Sequence, residues 1–156
     1  MTTASLATLP TPAAVLDLHR MQRNIDTMQS RMNALGVKLR PHVKTSKCVD
    51  VVRRQIAAGA SGVTVSTLKE AEQFFAAGVR DILYAVGMVA VKLPQAHALR
   101  DAGCDLKIIV DSVDAACAIV EFGREHRHVF EVWLEVDTDG HRAGLKPDGE
   151  ALIAVG

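Results

Sequence analysis

No sign of charge predominates in this chain: 18 Lys and Arg stand against 18 Asp and Glu. That balance removes the electrostatic footprint expected of a nucleic-acid or anionic-membrane binder and leaves a small molecule or another protein chain as the partner. Cysteine is sparse as well. Cys48, Cys104 and Cys117 are odd in number and show no CxxC spacing, and no basic stretch followed by an apolar one opens the sequence. These features fit a reducing cytoplasm better than secretion. Charged residues interrupt every apolar run before it reaches the roughly 18 to 20 residues that cross a bilayer. No GxGxxG follows the first expected strand, which weighs against dinucleotide binding. What the sequence does have is length and apolar content: 156 residues, 49% of them hydrophobic, can bury a core without a disulfide or a metal.

The apolar residues alternate between two periods. From Asp17 to Gly36, Met21, Ile25, Met28, Met32 and Leu35 recur at gaps of three and four, which predicts a helix capped by Asp17 and ended by Gly36. A β-compatible run from Val37 to Val43 follows, then a second helical pattern through Val49, Val52 and Ile56 to Gly59. Gly62 to Val65 reads as a strand, and Thr67 to Glu70 as a capping box opening a helix that Gly78 stops. Asp81 to Val86 is the next strand, and Val91 to Gly103 a helix with Pro94 tolerable in its first turn. Leu106 to Val110 is a fourth strand, Ser112 to about Arg124 a helix, and Phe130 to Val136 a fifth strand. Lys146 to Val155 looks like the start of a sixth unit's helix. Strands alternating with amphipathic helices imply a parallel α/β sheet. Periodicity does not separate an open doubly wound sheet from part of an eight-stranded barrel.

In α/β folds, reactive groups gather beyond the carboxyl ends of the strands. Three segments are candidates. In Arg40-Pro41-His42-Val43-Lys44-Thr45-Ser46-Lys47 a lysine ends the first expected strand among other cations, and crowding by Arg40, His42 and Lys47 would favour the nucleophilic amine needed for imine formation; the alternative is a solvated basic loop. In Glu135 to Gly144, two glycines allow a tight turn and Arg142 offers a planar donor to an oxyanion. Asp137, Asp139 and His141 there read as metal ligands or, more simply, as an acidic solvated turn. His126-Arg127-His128 has the spacing of a metal clip, but its expected place is a solvated loop. Ser66, Thr67 and Asp111 sit at strand ends, and capping explains Thr67 and Asp111 equally well.

Thr11-Pro12-Ala13 before Val15-Leu16-Asp17, the segment Arg40-Pro41-His42-Val43-Lys44-Thr45 and the turn Asp139-Gly140-His141-Arg142-Ala143-Gly144 together resemble the D-threonine aldolase and D-serine dehydratase family. That family belongs to the alanine-racemase-like, fold type III enzymes that use pyridoxal 5'-phosphate (PLP). The resemblance implies a parallel (β/α) barrel of the alanine-racemase N-terminal type, incomplete here at about five to six βα units. Residues 1–156 would form part of the PLP-binding barrel domain, with the last barrel strands and the C-terminal β domain absent. It implies that Lys44 forms the internal aldimine with PLP, that Arg142 contacts the phenolic-oxygen side of the cofactor, and that His42 lies near it. The chain departs from the family pattern in having Ser46 where the family usually has His. The family's divalent metal, Zn or Mn, has no matching ligands among these residues.

The activity implied by the resemblance is that of a lyase on β-hydroxy D-amino acids, cleaving them to glycine and an aldehyde or dehydrating them to a keto acid. A non-catalytic PLP-binding module and an amino-acid racemase-like protein are the alternatives. Open strand edges lead to the expectation of a homodimer, and of little activity from the 156 residues alone.

Overall fold

The structure is a computed structural model that describes residues 5–156; residues 1–4 of the expected domain lie outside the described residues. After a short 3-10 turn at Leu6–Thr8 come helices α1 (Leu18–Ala34) and α2 (Val49–Ala58). Strands and helices then alternate: β1 (Val63–Val65), α3 (Leu68–Ala76), β2 (Asp81–Gly87), α4 (Leu93–Asp101), β3 (Asp105–Val110), α5 (Val113–His126), β4 (Glu131–Leu134) and α6 (Glu150–Val155). All strand pairs are parallel, in the order β1-β2-β3-β4.

Helix starts follow the side chains able to cap them. Asp17 accepts from the Arg20 N–H at 2.9 Å, Thr67 from Glu70 at 3.0 Å and Ser112 from Ala115 at 3.3 Å, each satisfying one amide that the first turn leaves unpaired. Pro94 sits in the first turn of α4, where its missing N–H costs nothing.

Three expectations need correction. The run from Val37 to Val43 is not a strand but a segment joined to β1 by the single bridge His42↔Thr64. Its carbonyls at Leu39 and Pro41 accept from Ser61 and Thr64, and Val43 N–H donates to Thr64. Pro41 has no N–H to give a ladder, and the chain turns at once, Lys47 N–H closing on the Val43 carbonyl at 2.9 Å. The five expected strands are therefore four, and the last is shorter than expected, with Val136 bridged to Leu145 beyond it. The apolar stripe of α1 is also rotated: Met28 and Leu35 are exposed, whereas Gln29 is buried against Gly59. Helix α2 covers only a narrow strip of α1, so position rather than polarity decides which side chain is buried.

The core lies between the sheet and helices α2 to α5. Ile82 and Tyr84 of β2 and Leu106 and Ile108 of β3 are fully buried in one cluster with Val52, Leu68, Phe74, Leu93 and Ile119. The alternate residues point to the other face. There the register places Thr64, Leu83 and Lys107 side by side, with Asp81 beside Asp105 one layer nearer the strand starts. Helices on one face only, with a second polar face, are the construction of a (β/α) barrel wall; a doubly wound sheet covers both faces. This settles the alternative that periodicity left open.

On that second face the strand starts carry charge. Arg40 grips Asp81 with two nitrogens at 2.8 and 2.7 Å, and Lys107, 7% exposed, bridges Asp81 at 2.8 Å to Asp105. Gly62 makes this possible, because a Cβ there would lie 2.5 Å from both an Arg40 nitrogen and the Asp81 carbonyl oxygen. No helix among the described residues is long and apolar enough to cross a membrane.

Candidate active site

Beyond the carboxyl ends of the strands, an open cavity of about 320 Å³ is lined by His42, Lys44, Ala85, Glu135, Asp137 and Arg142, among others. The segments around Lys44 and Arg142, nearly a hundred positions apart in sequence, thus meet at one place. Lys44 stands in the turn from Val43 to Lys47. Its amide donates to His42 Nδ1 at 3.3 Å, and His42 Nε2 lies 3.3 Å from Ser66 Oγ. With Nδ1 accepting, the neutral ring carries its proton on Nε2 and offers it to Ser66. Burial lowers the His42 pKa from its ordinary value, the Lys44 charge adds to this, and Glu70 opposes it, so the neutral ring is favoured.

The cations expected to crowd Lys44 are committed elsewhere. Arg40 is held by Asp81 at the starts of the strands, and Lys47 pairs with Glu70 at 3.2 Å. Sequence proximity put both beside Lys44; Arg40 lies level with the strand starts, where Asp81 holds it, and the left-handed turn at Lys47 takes that ammonium to Glu70.

Arg142 is carried by the loop after β4. Glu135 N–H donates to Val110, Leu145 N–H to Glu135, and Asp137 N–H to Leu145, closing the neck of the loop at 2.8 to 2.9 Å. Asp137 Oδ1 then accepts from Gly140 at 2.9 Å and Asp139 at 3.3 Å. Gly144 has φ +117°, and a Cβ there would lie 2.7 Å from the Asp137 nitrogen, so the neck closes only on glycine. Backbone N–H groups at Gly140 and Asp139 help to hold the Asp137 carboxyl below its ordinary range against residual desolvation. Asp137, Asp139 and His141 do not form a metal set: Asp137 organises the turn, and His141 is exposed with Nδ1 on the Asp139 carbonyl.

His126 and His128 do not form a clip either, nor do they sit in a purely solvated loop. His126 stacks on Phe122 at 3.8 Å, while His128 packs on Phe130 and meets His97 and Asp101, the one trio of potential metal ligands among the described residues. This trio lies at the strand starts, away from the cavity. Arg100 Nε donates to His128 Nε2 at 3.2 Å, which leaves the His128 proton on Nδ1, the atom facing Asp101. A protonated ligand atom beside a guanidinium does not suit a cation, and the trio is a packed polar cluster held by the Arg100–His128 hydrogen bond.

Two features of the site are not apparent in the sequence: the Ser66 link to His42, and Glu70, legible only as a helix-capping residue.

Residues 16–155 match the family described as alanine racemase, N-terminal domain. The chain belongs to this family. It is 68% identical over 149 residues to the D-threo-3-hydroxyaspartate dehydratase of Delftia sp. (strain HT23), a match that covers 96% of this chain and 39% of that protein. A solved structure of the Delftia sp. HT23 dehydratase superposes with a TM-score of 0.96 at 66% identity, over 98% of this chain and 41% of that one. The D-threonine aldolase of Arthrobacter sp is 33% identical over 152 residues, 94% of this chain and 39% of its own length. The chain thus spans about two-fifths of the relatives it matches.

Proposed function

We propose that this chain is the lysine-bearing part of a pyridoxal-phosphate-dependent lyase acting on small β-hydroxy D-amino acids. The observation that carries the reading is the convergence of Lys44, His42 and Arg142 on one cavity at the carboxyl ends of parallel strands. The similarity to a D-threo-3-hydroxyaspartate dehydratase supports dehydration over aldol cleavage.

The donor set fits the cofactor. An amine on a hydrogen-bonded turn, a permanently charged planar donor and a neutral imidazole offer a nucleophile for an aldehyde, a partner for an oxyanion and a polar contact carrying no second positive charge. Lys44 would hold the cofactor covalently, and its freed amine would take or return a proton at the substrate's α-carbon. Arg142 would bind the phenolic oxygen from across the cavity. His42 would keep the Lys44 amide in place without competing for the proton. When bound, pyridoxal phosphate supplies the electron sink for charge developing at the α-carbon. We further propose that residues 1–156 belong to a single barrel domain and that the whole protein is a cytoplasmic homodimer.

Borohydride reduction of the cofactor-loaded, full-length protein followed by peptide mapping tests the assignment. The pyridoxyl mass is expected on Lys44, and a label on Lys47 or Lys69 would refute it.

A further inference from the structure

Glu70 does more than cap a helix. Thr67 already satisfies the first turn of α3 through its hydroxyl, and a carboxylate in a capping box returns to the N–H of that same N-cap residue. Here it reaches past it. Glu70 Oε2 accepts from the Ser66 N–H at 2.8 Å, and Oε1 takes the Lys47 ammonium at 3.2 Å. The residue is only 6% exposed. Burial alone would raise its carboxyl, but the Ser66 N–H and then Lys47 outweigh that and hold it below the ordinary range, so a fixed negative charge sits under the site.

Both contacts lead to Lys44. Lys47 ends the Lys44 turn with φ +44°, a left-handed conformation that side-chain-bearing residues rarely adopt. Its ammonium is tied to Glu70, and its amide closes the turn on Val43. At the other end Ser66, whose amide Glu70 holds, places Oγ against His42 Nε2, and His42 Nδ1 receives the Lys44 amide. One carboxylate from α3 therefore reaches the Lys44 turn from two directions.

We propose that Glu70 is a positioning residue of the reaction site, fixing the backbone of the Lys44 turn through Lys47 and the Nε2-protonated form of His42 through Ser66. The inference rests on the reading of Lys44 as the cofactor lysine. Its two effects separate chemically. A glutamine can still accept from the Ser66 amide but cannot neutralise Lys47, whereas an alanine does neither.

The experiment compares Glu70→Ala, Glu70→Gln and Ser66→Ala in the full-length protein. Cofactor-free protein is read by amide exchange at Lys44 and Lys47 and by the ¹⁵N shifts of the His42 ring, loaded protein by the pH midpoint of its visible absorbance. Glu70→Ala is expected to speed exchange at both amides by about tenfold or more. It should also lower the midpoint by about half a pH unit, because the Lys47 charge is left unpaired near Lys44. Glu70→Gln restores protection at Lys44 but not at Lys47, and keeps the lowered midpoint. Ser66→Ala alters the His42 ring shifts and leaves the midpoint nearly where it was. Should Glu70→Ala not fold, the other two variants decide. Unchanged exchange, ring shifts and midpoint in Glu70→Gln and Ser66→Ala overturn the proposal. A borohydride label away from Lys44 in the unsubstituted protein instead overturns the reading on which it rests, and the cofactor-free measurements tell the two failures apart.

Discussion

Arg142 and Lys44 differ in what the surrounding structure does for them. The Lys44 amide is hydrogen-bonded to His42, whose ring contacts Ser66 beyond β1, whereas Arg142 rides on a loop whose neck alone is tightly closed. On the proposed reading, a guanidinium so placed would polarise a bound oxyanion, while the hold on the cofactor would rest on the lysine. In the full-length enzyme, Arg142→Ala is expected to lower turnover by about a hundredfold, as removal of one oxyanion donor does elsewhere. It should also shift the bound cofactor's absorbance while the cofactor is still retained. Arg142→Lys should not restore the rate, since an ammonium lacks the planar fork. Steady-state kinetics with D-threo-3-hydroxyaspartate and absorbance spectra check this, and unchanged turnover would remove Arg142 from the site.

The loop after β4 is an element whose shape depends on two glycines for different reasons. Gly140 has φ +72° with open space around its missing Cβ, so alanine there meets only the left-handed backbone cost, about 1 to 2 kcal/mol. Gly144 adds to its positive φ a collision with the Asp137 nitrogen and the Val136 carbonyl carbon, both backbone atoms that cannot swing aside. Gly144→Ala is therefore expected to cost about 3 kcal/mol, the upper end for strained backbone, and clearly more than Gly140→Ala. Urea denaturation of the two variants beside the parent measures the difference; equal losses would mean that the neck opens to admit the methyl group.

For the whole molecule, the ionisable groups set a stability profile with definite signs. His42 and His128 both have pKa values lowered from the ordinary 6.5, each first by burial, so the unfolded chain binds these protons more readily. Their contribution is complete above pH 6.5 and is lost as pH falls from there through their folded values. Glu70 and Asp81 are lowered from 4.5 and 3.8 because hydrogen bonds and paired cations outweigh burial, and their contribution disappears in a second, more acid window. Lys107 is raised above 10.5 by Asp105 and Asp81 despite its burial, so its contribution holds below that value and is lost as pH rises through the folded one. The urea midpoint of the protein is expected to fall in two acid steps, the first beginning near pH 6.5, and again in strong alkali. A flat response between pH 6.5 and 5 would contradict the neutral state of these two partly buried imidazoles.

Local chemistry made much of this legible in the amino-acid order. The caps at Asp17 and Thr67, the helical periods, and the strands at Val63–Val65, Asp81–Gly87 and Asp105–Val110 follow from hydrogen bonds and burial within a few residues, while the start of α5 is capped by Ser112 and not by Asp111. The segments around Lys44 and Arg142 were likewise visible as candidates. Only the tertiary structure decided which side chains share a space. Arg40 and Lys47 stand near Lys44 in sequence, yet Asp81 at the start of β2 holds one and a left-handed turn ties the other to Glu70. The Pro41 edge formed a bridge instead of a strand because parallel pairing needs donors that proline lacks. His128 met His97 and Asp101 rather than His126, because α4 and the approach to β4 lie side by side in the folded wall. Short-range order is written in the spacing of residues along the chain; the electrostatics of the site depend on charges from distant segments, and the packing of the parallel sheet alone brings those segments together.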